Sequence, residues 1–562
     1  MPPKFSREID QPVVHGGPLK GQFRTSPCER DCPAGNSVQK LNALVAKGEF
    51  AEALRYLRAK NPFPGVTGRV CPHFCQDGCN RGKFDAPVSI RSLERAAGDH
   101  GRPQEAAAIK RRPGTGRTAA VVGSGPAGMT CAYFLALLGH SVTVFEAGPV
   151  LGGLPRVAVP SFRLPKDVVD REVGRILDLG VKAMVNTRIG RDISFEKLQA
   201  DFDAVVVAAG TQRERSLPLP NADKGLKAVE FLREVNLGRH RDMAGATVVV
   251  MGGGGVAFDC AFCARRLGAA EVHVICLEKC GEMLAPSDDL IQAAEEGVQI
   301  HNACTMSKVL LEDDHTVLGA EYFEISACRF DQAGKVSIEP VPGSHRTLRA
   351  DCVIFAVGTQ TELDFMREAQ PRLSPRGLLM VDQGSATSLA GVFAAGDVTD
   401  GPGSIARAIG SGRKAAFDVH AYLSGEQCPV FVLGEDGTIV PAPRLAGETA
   451  PHVVDIEELY GLYHYARRTP PEPGHDPQPS FFEREPGLSR ETAMAEAEAC
   501  FHCGHCKSCG TCVEDCPGYV LVQDSSGKPG VVYGEECWHC ANCRTSCPCG
   551  AVGFEFPLRM LV

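Results

Sequence analysis

An α/β class is predicted by two stretches of one design, and the remaining organisation by where the cysteines lie. Residues 117–146 (RTAAVVGSGPAGMTCAYFLALLGHSVTVFE) and 246–278 (ATVVVMGGGGVAFDCAFCARRLGAAEVHVICLE) each read as strand, Gly-rich turn, apolar helix, strand and closing acid. Of 25 cysteines, five stand between Cys28 and Cys79 and eleven between Cys500 and Cys549. The expectation is two nested Rossmann-like dinucleotide-binding domains. A helical iron–sulfur domain precedes them and a bacterial-ferredoxin-like domain follows.

The bulk properties narrow the class. At 562 residues the chain is too long for one core. It is 44% hydrophobic and 23% charged, ordinary for a globular protein. A net charge of −9 argues against nucleic acid or an anionic membrane as the main partner. One Trp and 6% aromatics give no sign of a base-stacking surface. No apolar run reaches the roughly 18 residues of a membrane span. The opening MPPKFSREIDQ lacks the apolar core of a signal peptide, so a soluble cytoplasmic protein is expected. Clustered cysteines in such a chain point to metal ligation, not to a disulfide scaffold.

In the first repeat a β run at 119–122 meets Gly123-x-Gly125-x-x-Gly128, with Pro126 and Ala127 inside the turn. The helix runs to Leu138, and the second strand, 141–145, closes on Glu146. Such glycines allow a tight turn and close approach of a pyrophosphate to the helix N-terminus. Glu146 is then placed to accept hydrogen bonds from ribose hydroxyls. In the second repeat the turn is Gly252-x-Gly254-x-x-Ala257, with Gly255 and Val256 opening the helix, and the acid is Glu278. Two such folds, the second inserted in the first, suggest a flavin plus nicotinamide enzyme.

Two later stretches support the insertion, and two more follow that suit a flavin. Residues 201–212 (DFDAVVVAAGTQ) and 351–361 (DCVIFAVGTQT) are buried strands where the chain crosses between the folds. Ala209, Gly210 and Thr211 close the first, and Gly358 closes the second. GVFAAGDV (391–398) offers Gly396 and Asp397 after a strand, the acid suited either to a ribityl hydroxyl or to a plain turn cap. GPGSIARAIGSGRKAA (401–416) is a helix whose N-terminal end, with Ser404 and Ile405, would face the flavin pyrimidine ring.

Over roughly residues 25–425 the chain resembles the glutamate synthase small-subunit family. That family includes the flavin half of dihydropyrimidine dehydrogenase and related NAD(P)H:ferredoxin flavoproteins. The marks are NPFPGVTGRVCP (61–72), GGLPRVAVPSFRLP (152–165), GGGGVAFD (252–259) and EMLAP (282–286). The resemblance implies FAD in the outer fold and a nicotinamide in the inner one. It adds Gly153, Leu154 and Arg163 as cofactor-binding candidates. In the family the second turn usually reads GGGNVAMD, and an arginine pair ends the strand after it, suited to the 2′-phosphate of NADP. Here Gly255 replaces the Asn, and Leu277 and Glu278 replace the arginines. A carboxylate repels a phosphate and accepts from a free diol, so NAD(H) is expected, with Lys279 the nearby cation that would blur the choice. Cys260 and Cys263 form a C-x-x-C inside the helix of the second repeat and read as core packing, not as a redox disulfide.

The C-terminal end carries two C-x2-C-x2-C-x3-C-P runs: Cys506, Cys509, Cys512, Cys516 and Cys537, Cys540, Cys543, Cys547. In a dicluster ferredoxin the fourth cysteine of each run ligates the other cluster. One set is then Cys506, Cys509, Cys512 and Cys547, and the other Cys537, Cys540, Cys543 and Cys516. Zinc knuckles are the competing use of C-x2-C. Cys549 fits neither run.

At the N-terminal end stand Cys28, Cys32, Cys71, Cys75 and Cys79. The resemblance implies two 4Fe–4S clusters here, one with an oxygen ligand in a segment like PVSIRSLER. That position falls on Glu94, giving Cys32, Cys71, Cys75 and Glu94. If Glu94 is only a helix-surface carboxylate, Cys79 is the alternative fourth ligand. The second cluster would own Cys28 and Cys79 and needs a further C-x2-C, which in the family comes first; no cysteine precedes Cys28 here. AEAEACFHC (495–503) has the required character, an Ala/Glu-rich helix running into Cys500 and Cys503. These two would close the cluster with Cys28 and Cys79, unless they are a loose pair or serve a partner chain.

The expected domains are therefore 1–115, helical iron–sulfur; 116–240 with 350–425, FAD-binding; 241–349, NAD(H)-binding; 426–490, a Pro-rich linker; and 491–562, dicluster ferredoxin with an extra C-x2-C. Four 4Fe–4S clusters, FAD and NAD(H) make an electron wire. No catalytic acid or base is read. The expected role is an electron-transfer subunit docked to a larger oxidoreductase, a 2-oxoacid:acceptor oxidoreductase being slightly favoured over glutamate synthase or a dissimilatory sulfur enzyme. A self-standing NADH:ferredoxin oxidoreductase, with or without bifurcation, and an assembly subunit with a dead nicotinamide site are the alternatives.

Overall fold

The computed structural model describes residues 24–101, 109–240, 242–283, 285–331, 336–426, 431–434, 436–441, 452–459, 465–471, 474, 479–525 and 527–552. They form two compact units. The first takes the described residues within Met1–Lys110, Val430–Pro473 and Gly487–Val562, and the second those within Arg111–Pro429 and Gly474–Pro486. No helix among the described residues is long and apolar enough to cross a membrane.

The first unit begins with four helices, α1 (Val38–Ala46), α2 (Phe50–Arg58), α3 (Pro64–Val70) and α4 (Ile90–His100). Three of them, α1, α2 and α4, carry apolar residues at helical spacing: Val38, Leu41 and Val45; Phe50, Ala53 and Leu57; Leu93, Ala96 and Ala97. These stripes bury one another.

The second unit holds two parallel sheets. Strands β1 (Thr118–Val122), β2 (Ser141–Phe145), β3 (Lys182–Met184) and β4 (Ala204–Val207) belong to the first sheet. Helix α5 (Pro126–Leu137) joins β1 to β2 and is buried along its whole length from Ala127, as expected of a helix apolar all round. Strands β5 (Leu226–Lys227), β6 (Thr247–Met251), β7 (Glu271–Ile275), β8 (Gln299–His301) and β9 (Cys352–Phe355) form the second sheet, with α6 (Gly255–Arg266) joining β6 to β7. The first sheet is completed by β10 (Val392–Ala394), and α7 (Ile405–Ser424) follows. The strand orders are β3-β2-β1-β4-β10 and β8-β7-β6-β9-β5, all pairs parallel. Each sheet thus repeats one pattern, third-second-first-fourth. Every strand of the second falls in sequence between β4 and β10 of the first.

The chain then returns to the first unit with α8 (Arg490–Glu498), capped by the Ser489 hydroxyl, which accepts from Thr492 N at 3.1 Å. Ala493 and Ala497 of α8 bury against the α1 stripe. Strand Arg24–Thr25 pairs in parallel with His452–Val453. Segment 426–490 is therefore not a plain extended linker. It supplies that strand, a small hairpin (Phe431–Leu433 with Ile439–Pro441) and a helical turn at Ile456–Glu458. The partner of 452–453 is remote in sequence, so local propensity does not reveal that strand.

Arg81 is the main polar tie between the early and late segments of this unit. It donates to the carbonyls of Ala499 at 2.6 Å and Ala466 at 2.9 Å, and forks onto Asp85. Its guanidinium lies 5.0 Å from the Phe501 ring and 5.5 Å from that of Tyr465. The pair is buried, 3% and 5% exposed, and Arg81 holds the Asp85 carboxyl well below the usual carboxylate range. Replacing one partner strands the other charge, at a cost of about 3–5 kcal/mol. Arg81→Met is expected to lower the urea midpoint followed by Trp538, the chain's single tryptophan, which lies in this unit. Lys83→Ala removes a half-exposed ion pair with Asp455 and should cost under about 1 kcal/mol. Equal effects of the two substitutions would contradict this account.

Candidate functional site

In the second unit a cleft of about 2210 Å³, open mouth included, lies at the carboxyl end of the first sheet. This is the side on which nucleotides bind in doubly wound folds. The turn after β1 forms its floor. Gly123 has φ +105°, and a Cβ there would stand 2.4 Å from the Ala208 carbonyl oxygen, so only glycine lets the turn lie against the end of β4. Gly252 repeats this in the second sheet, with φ +139° and 2.3 Å to the Ala356 oxygen.

The cleft brings together most outer-fold candidates. Gly123, Gly125, Pro126 and Ala127 line one side with Glu146, and Gly153 and Leu154 lie on its wall. Ala209, Gly210 and Thr211 come from the end of β4, and Asp397, Ser404 and Ile405 from the far end. Gly128 and Gly396 stand behind the lining: a Cβ on Gly128 would meet the Gly123 oxygen, and one on Gly396 the Ala127 side chain. Asp397 opens the short helix Asp397–Asp400, and burial lifts its carboxyl to about 6. Ser404 caps α7 by accepting from Arg407 N. Such a lining, with a helix N-terminus at each end and an acid for ribose hydroxyls, fits FAD. Arg163 does not line the cleft. Its guanidinium is taken up by Asp259 of α6 at 2.5 Å and by Asp289 of the helix Ser287–Glu295 at 2.6 Å, which ties the turn at 161–163 to two helices of the second fold.

Glu146 accepts from the Ser124 N–H at 3.1 Å, the Ser124 hydroxyl at 2.6 Å and Gly148 N at 2.7 Å. Glu278 takes the matching place in the second sheet. Its Oε2 lies 2.3 Å from where a Cβ on Gly253 would be. Gly254 precedes α6, Gly255 is its first residue, and Val256 is half-exposed beside it. Gly358 follows β9 with φ +93°. Cys260 and Cys263 are fully buried in α6, as core residues.

In the first unit, three similar cavities are lined by thiols, each with its open mouth included in the volume. Cys506, Cys509, Cys512 and Cys547 surround one of about 350 Å³, together with Lys507 and the buried Cys549. Cys516, Cys537, Cys540 and Cys543 surround one of about 320 Å³. The third, about 300 Å³, is lined by Cys28, Cys79, Cys500 and Cys503. Among the described residues, no three His, Cys, Asp or Glu side chains converge as they would on a single ion. Four thiols around one cavity are the donor set of a 4Fe–4S cluster, and four thiolates are also a donor set for zinc.

The loops agree. In Cys500-x-His502-Cys503, Cys506-x-Ser508-Cys509 and Cys537-x-His539-Cys540, the residue before the second cysteine is left-handed, with φ between 53° and 57°. Its N–H points back to the first sulfur at 3.3–3.4 Å. The surplus C-x2-C thus has the turn of the two ferredoxin-type loops. Burial pushes Cys500 up to about 11 and Cys503 up to about 12, and pushes Cys512 and Cys543 up as well. Thiols so placed ionise only beside a cation.

Cys32, Cys71 and Cys75 lie close enough to Glu94 for its charge to raise all three thiols, although burial is the larger cause. Glu94 is 6% exposed on α4, not a surface carboxylate. Three buried donors converge on its Oε1: Thr67 Oγ1 at 2.6 Å, Asn61 Nδ2 at 2.9 Å and Asn36 Nδ2 at 3.1 Å. Asn61 is held for this by accepting from Phe63 N. Asn61 and Thr67 sit inside the NPFPGVT motif, but nothing in sequence spacing assigned them this role. The donor set of three thiols and an anchored carboxylate fits a cluster with one oxygen ligand.

Comparison with known proteins agrees with this geometry. A model for pyridine nucleotide-disulphide oxidoreductases matches residues 117–412, and one for dihydropyrimidine dehydrogenase domain II, 4Fe–4S cluster, matches 22–106. The chain is 34% identical over 517 residues to the NADP(+)-dependent formate dehydrogenase subunit beta of Moorella thermoacetica, covering 86% of this chain and 71% of that protein. Against the NADPH-Fe(3+) oxidoreductase subunit beta of Geobacter sulfurreducens it is 35% identical over 429 residues, 71% of this chain and 64% of the other's length. Against the NADPH glutamate synthase small chain of Mycobacterium tuberculosis it is 34% identical over 428 residues, 71% of this chain and 86% of the other. The chain belongs to the glutamate synthase small-chain-like family of pyridine nucleotide oxidoreductases, flavin and iron–sulfur proteins with a 4Fe–4S domain of the dihydropyrimidine dehydrogenase type.

Proposed function

We propose that this protein carries electrons between NAD(H), FAD and four 4Fe–4S clusters, as the NAD(H)-linked subunit of a larger oxidoreductase. The observation that carries the reading is the cavity shared by Cys28, Cys79, Cys500 and Cys503, matched in size to the two ferredoxin-type cavities. The other ligand sets are Cys32, Cys71, Cys75 and Glu94; Cys506, Cys509, Cys512 and Cys547; and Cys537, Cys540, Cys543 and Cys516. When bound, FAD and the clusters supply hydride exchange with the nicotinamide and one-electron transfer. The residues place them: outer-fold glycines and Asp397 hold the flavin, and the thiols fix the order of the clusters. Relatives bear the names of formate dehydrogenase, NADPH-Fe(3+) oxidoreductase and glutamate synthase subunits. A redox enzyme of such a kind is therefore the proposed partner, a 2-oxoacid:acceptor oxidoreductase included. Anaerobic reconstitution should give about sixteen irons per chain, four for each cluster. Cys500→Ala/Cys503→Ala should lose about four. An iron content near twelve that the double substitution leaves unchanged would remove the third cavity from the reading.

The proposed nicotinamide is NAD(H). What supports it is Glu278, which lies against the second turn where Glu146 lies against the first. A 2′-phosphate brought there would meet a carboxylate at close range, and like charges so placed cost several kcal/mol. NADH should exceed NADPH in kcat/KM by about tenfold or more, each tenfold being about 1.4 kcal/mol. Glu278→Arg should move the ratio toward NADPH. Equal use of the two nucleotides by the unaltered chain would refute the assignment.

A further inference from the structure

The cavity of Cys28, Cys79, Cys500 and Cys503 differs from the two ferredoxin-type cavities in what surrounds its sulfurs. Gln39, Asn42 and Asn80, all at most 3% exposed, line it. Gln39 and Asn42 stand three residues apart on one face of α1. Asn80 Nδ2 lies 3.4 Å from Cys503 Sγ and 2.8 Å from the Val454 carbonyl oxygen, one amide hydrogen for each. The Asn42 side chain favours the Cys500 thiolate, and the protonated Cys500 thiol donates to Gln39 Oε1 at 3.4 Å, so on ionisation the Gln39 oxygen loses this partner and its Nε2 is the group left to serve sulfur. Gln39 Nε2 stands 3.6 Å from Cys28 Sγ, and the Ser26 hydroxyl is 3.1 Å from the same sulfur. The Oδ1 atoms of Asn42 and Asn80 are buried with no hydrogen-bond partner among the described residues. An amide that leaves its oxygen unmatched is turned by what its nitrogen donates to, and here that includes sulfur. Around the ferredoxin-type thiols the donors include backbone N–H groups of Ser508, His539 and Ala551, and the Thr511 hydroxyl lies 3.3 Å from Cys509 Sγ.

We propose that Gln39, Asn42 and Asn80 form an amide cage for the junction cluster, donating N–H···S hydrogen bonds that raise its reduction potential. The inference rests on the four-thiol reading of this cavity and adds residues that hold no iron themselves. Reduction adds negative charge to the cluster, and donors aimed at its ligand sulfurs stabilise that charge more than the oxidised form. Burial of the same site works in the opposite direction, since a low-dielectric surround disfavours added charge. The cage offsets that penalty and lets a deeply buried cluster accept an electron. Its members are positioning residues, because they act through the ligating sulfurs.

The test is an EPR-monitored redox titration of the reconstituted full chain. Asn42→Leu and Asn80→Leu each keep the side chain's bulk and remove the donor. One cluster, the one missing from Cys500→Ala/Cys503→Ala, should shift to lower potential with iron content and the other signals unchanged. The expected shift is about tenfold in electron affinity, or about 59 mV for one electron. Asparagine labelled with ¹⁵N in its side chain should couple magnetically to the same signal in the unaltered chain. This second readout holds even where a substitution prevents cluster assembly. A loaded Asn80→Leu chain with unshifted potential, or no side-chain ¹⁵N coupling, overturns the cage. Unchanged iron in Cys500→Ala/Cys503→Ala instead overturns the four-thiol reading beneath it.

Discussion

Cys28, Cys79, Cys500 and Cys503 come from both ends of the chain into one buried cavity, where ionising a thiol is opposed by desolvation. That opposition is what the first unit is organised around. Neutral thiols pack in a core as Cys260 and Cys263 do, but four of them gathered around one cavity with amides beside them can ionise together only where a cation takes their charge. The surrounding interactions all serve the meeting of the two ends: α8 on α1, the parallel strand pair of 24–25 with 452–453, and Arg81 on the carbonyls of Ala466 and Ala499. The nucleotide folds lie in sequence between those ends. Loop-closure entropy grows slowly, about 0.6 kcal/mol per doubling of length, so a large inserted unit is a small obstacle to such a closure.

The same cysteines set the order of the proposed clusters. Cys28 and Cys32 are four residues apart and go to different sites, and so do Cys75 and Cys79. Cys503 and Cys506 divide between the junction cavity and the first ferredoxin-type cavity. Cys512 with Cys516, and Cys543 with Cys547, divide between the two ferredoxin-type cavities. Every step in the series is bridged by ligands three or four residues apart, and four residues of chain span at most about 14 Å. Neighbouring sites are therefore kept close by covalent structure, whatever the rest of the unit does.

What the sequence made legible follows from how local each signal is. The two strand–turn–helix repeats were readable because glycine spacing and apolar periodicity are local, and β1, α5, β2 and β6, α6, β7 fall where expected. The ferredoxin runs were readable for the same reason. The place of Cys500 and Cys503 was reached only by counting ligands against a resemblance, and the left-handed turn at His502 is the local feature that agrees with it. Arg163, grouped with cofactor residues by its motif, instead holds Asp259 and Asp289, because a motif marks where a residue is kept and not what its side chain meets. Asn36, Asn61, Thr67, Gln39, Asn42 and Asn80 were not legible as supports at all. Amide and hydroxyl side chains have no spacing rule for a partner distant in sequence.

Comparing the two nucleotide turns shows how one design was adjusted. In the first, Ser124 stands between the glycines and binds the closing acid through both its N–H and its hydroxyl. In the second, Gly253 occupies that position, and the Glu278 carboxylate fills the space a side chain would need. Gly253 and Glu278 are thus one choice: restoring a Cβ at 253 would displace the carboxylate, and removing the carboxylate would leave the glycine without its tenant. The fourth consecutive glycine of GGGG has a separate consequence. Gly255 sets no side chain at the first turn of α6, where the family's asparagine would stand, so no side chain at this position covers the N–H groups that open the helix. On the proposed reading, the inner fold offers a nucleotide backbone N–H groups and the Glu278 carboxylate, and the carboxylate is the part that would tell a free ribose diol from a 2′-phosphate.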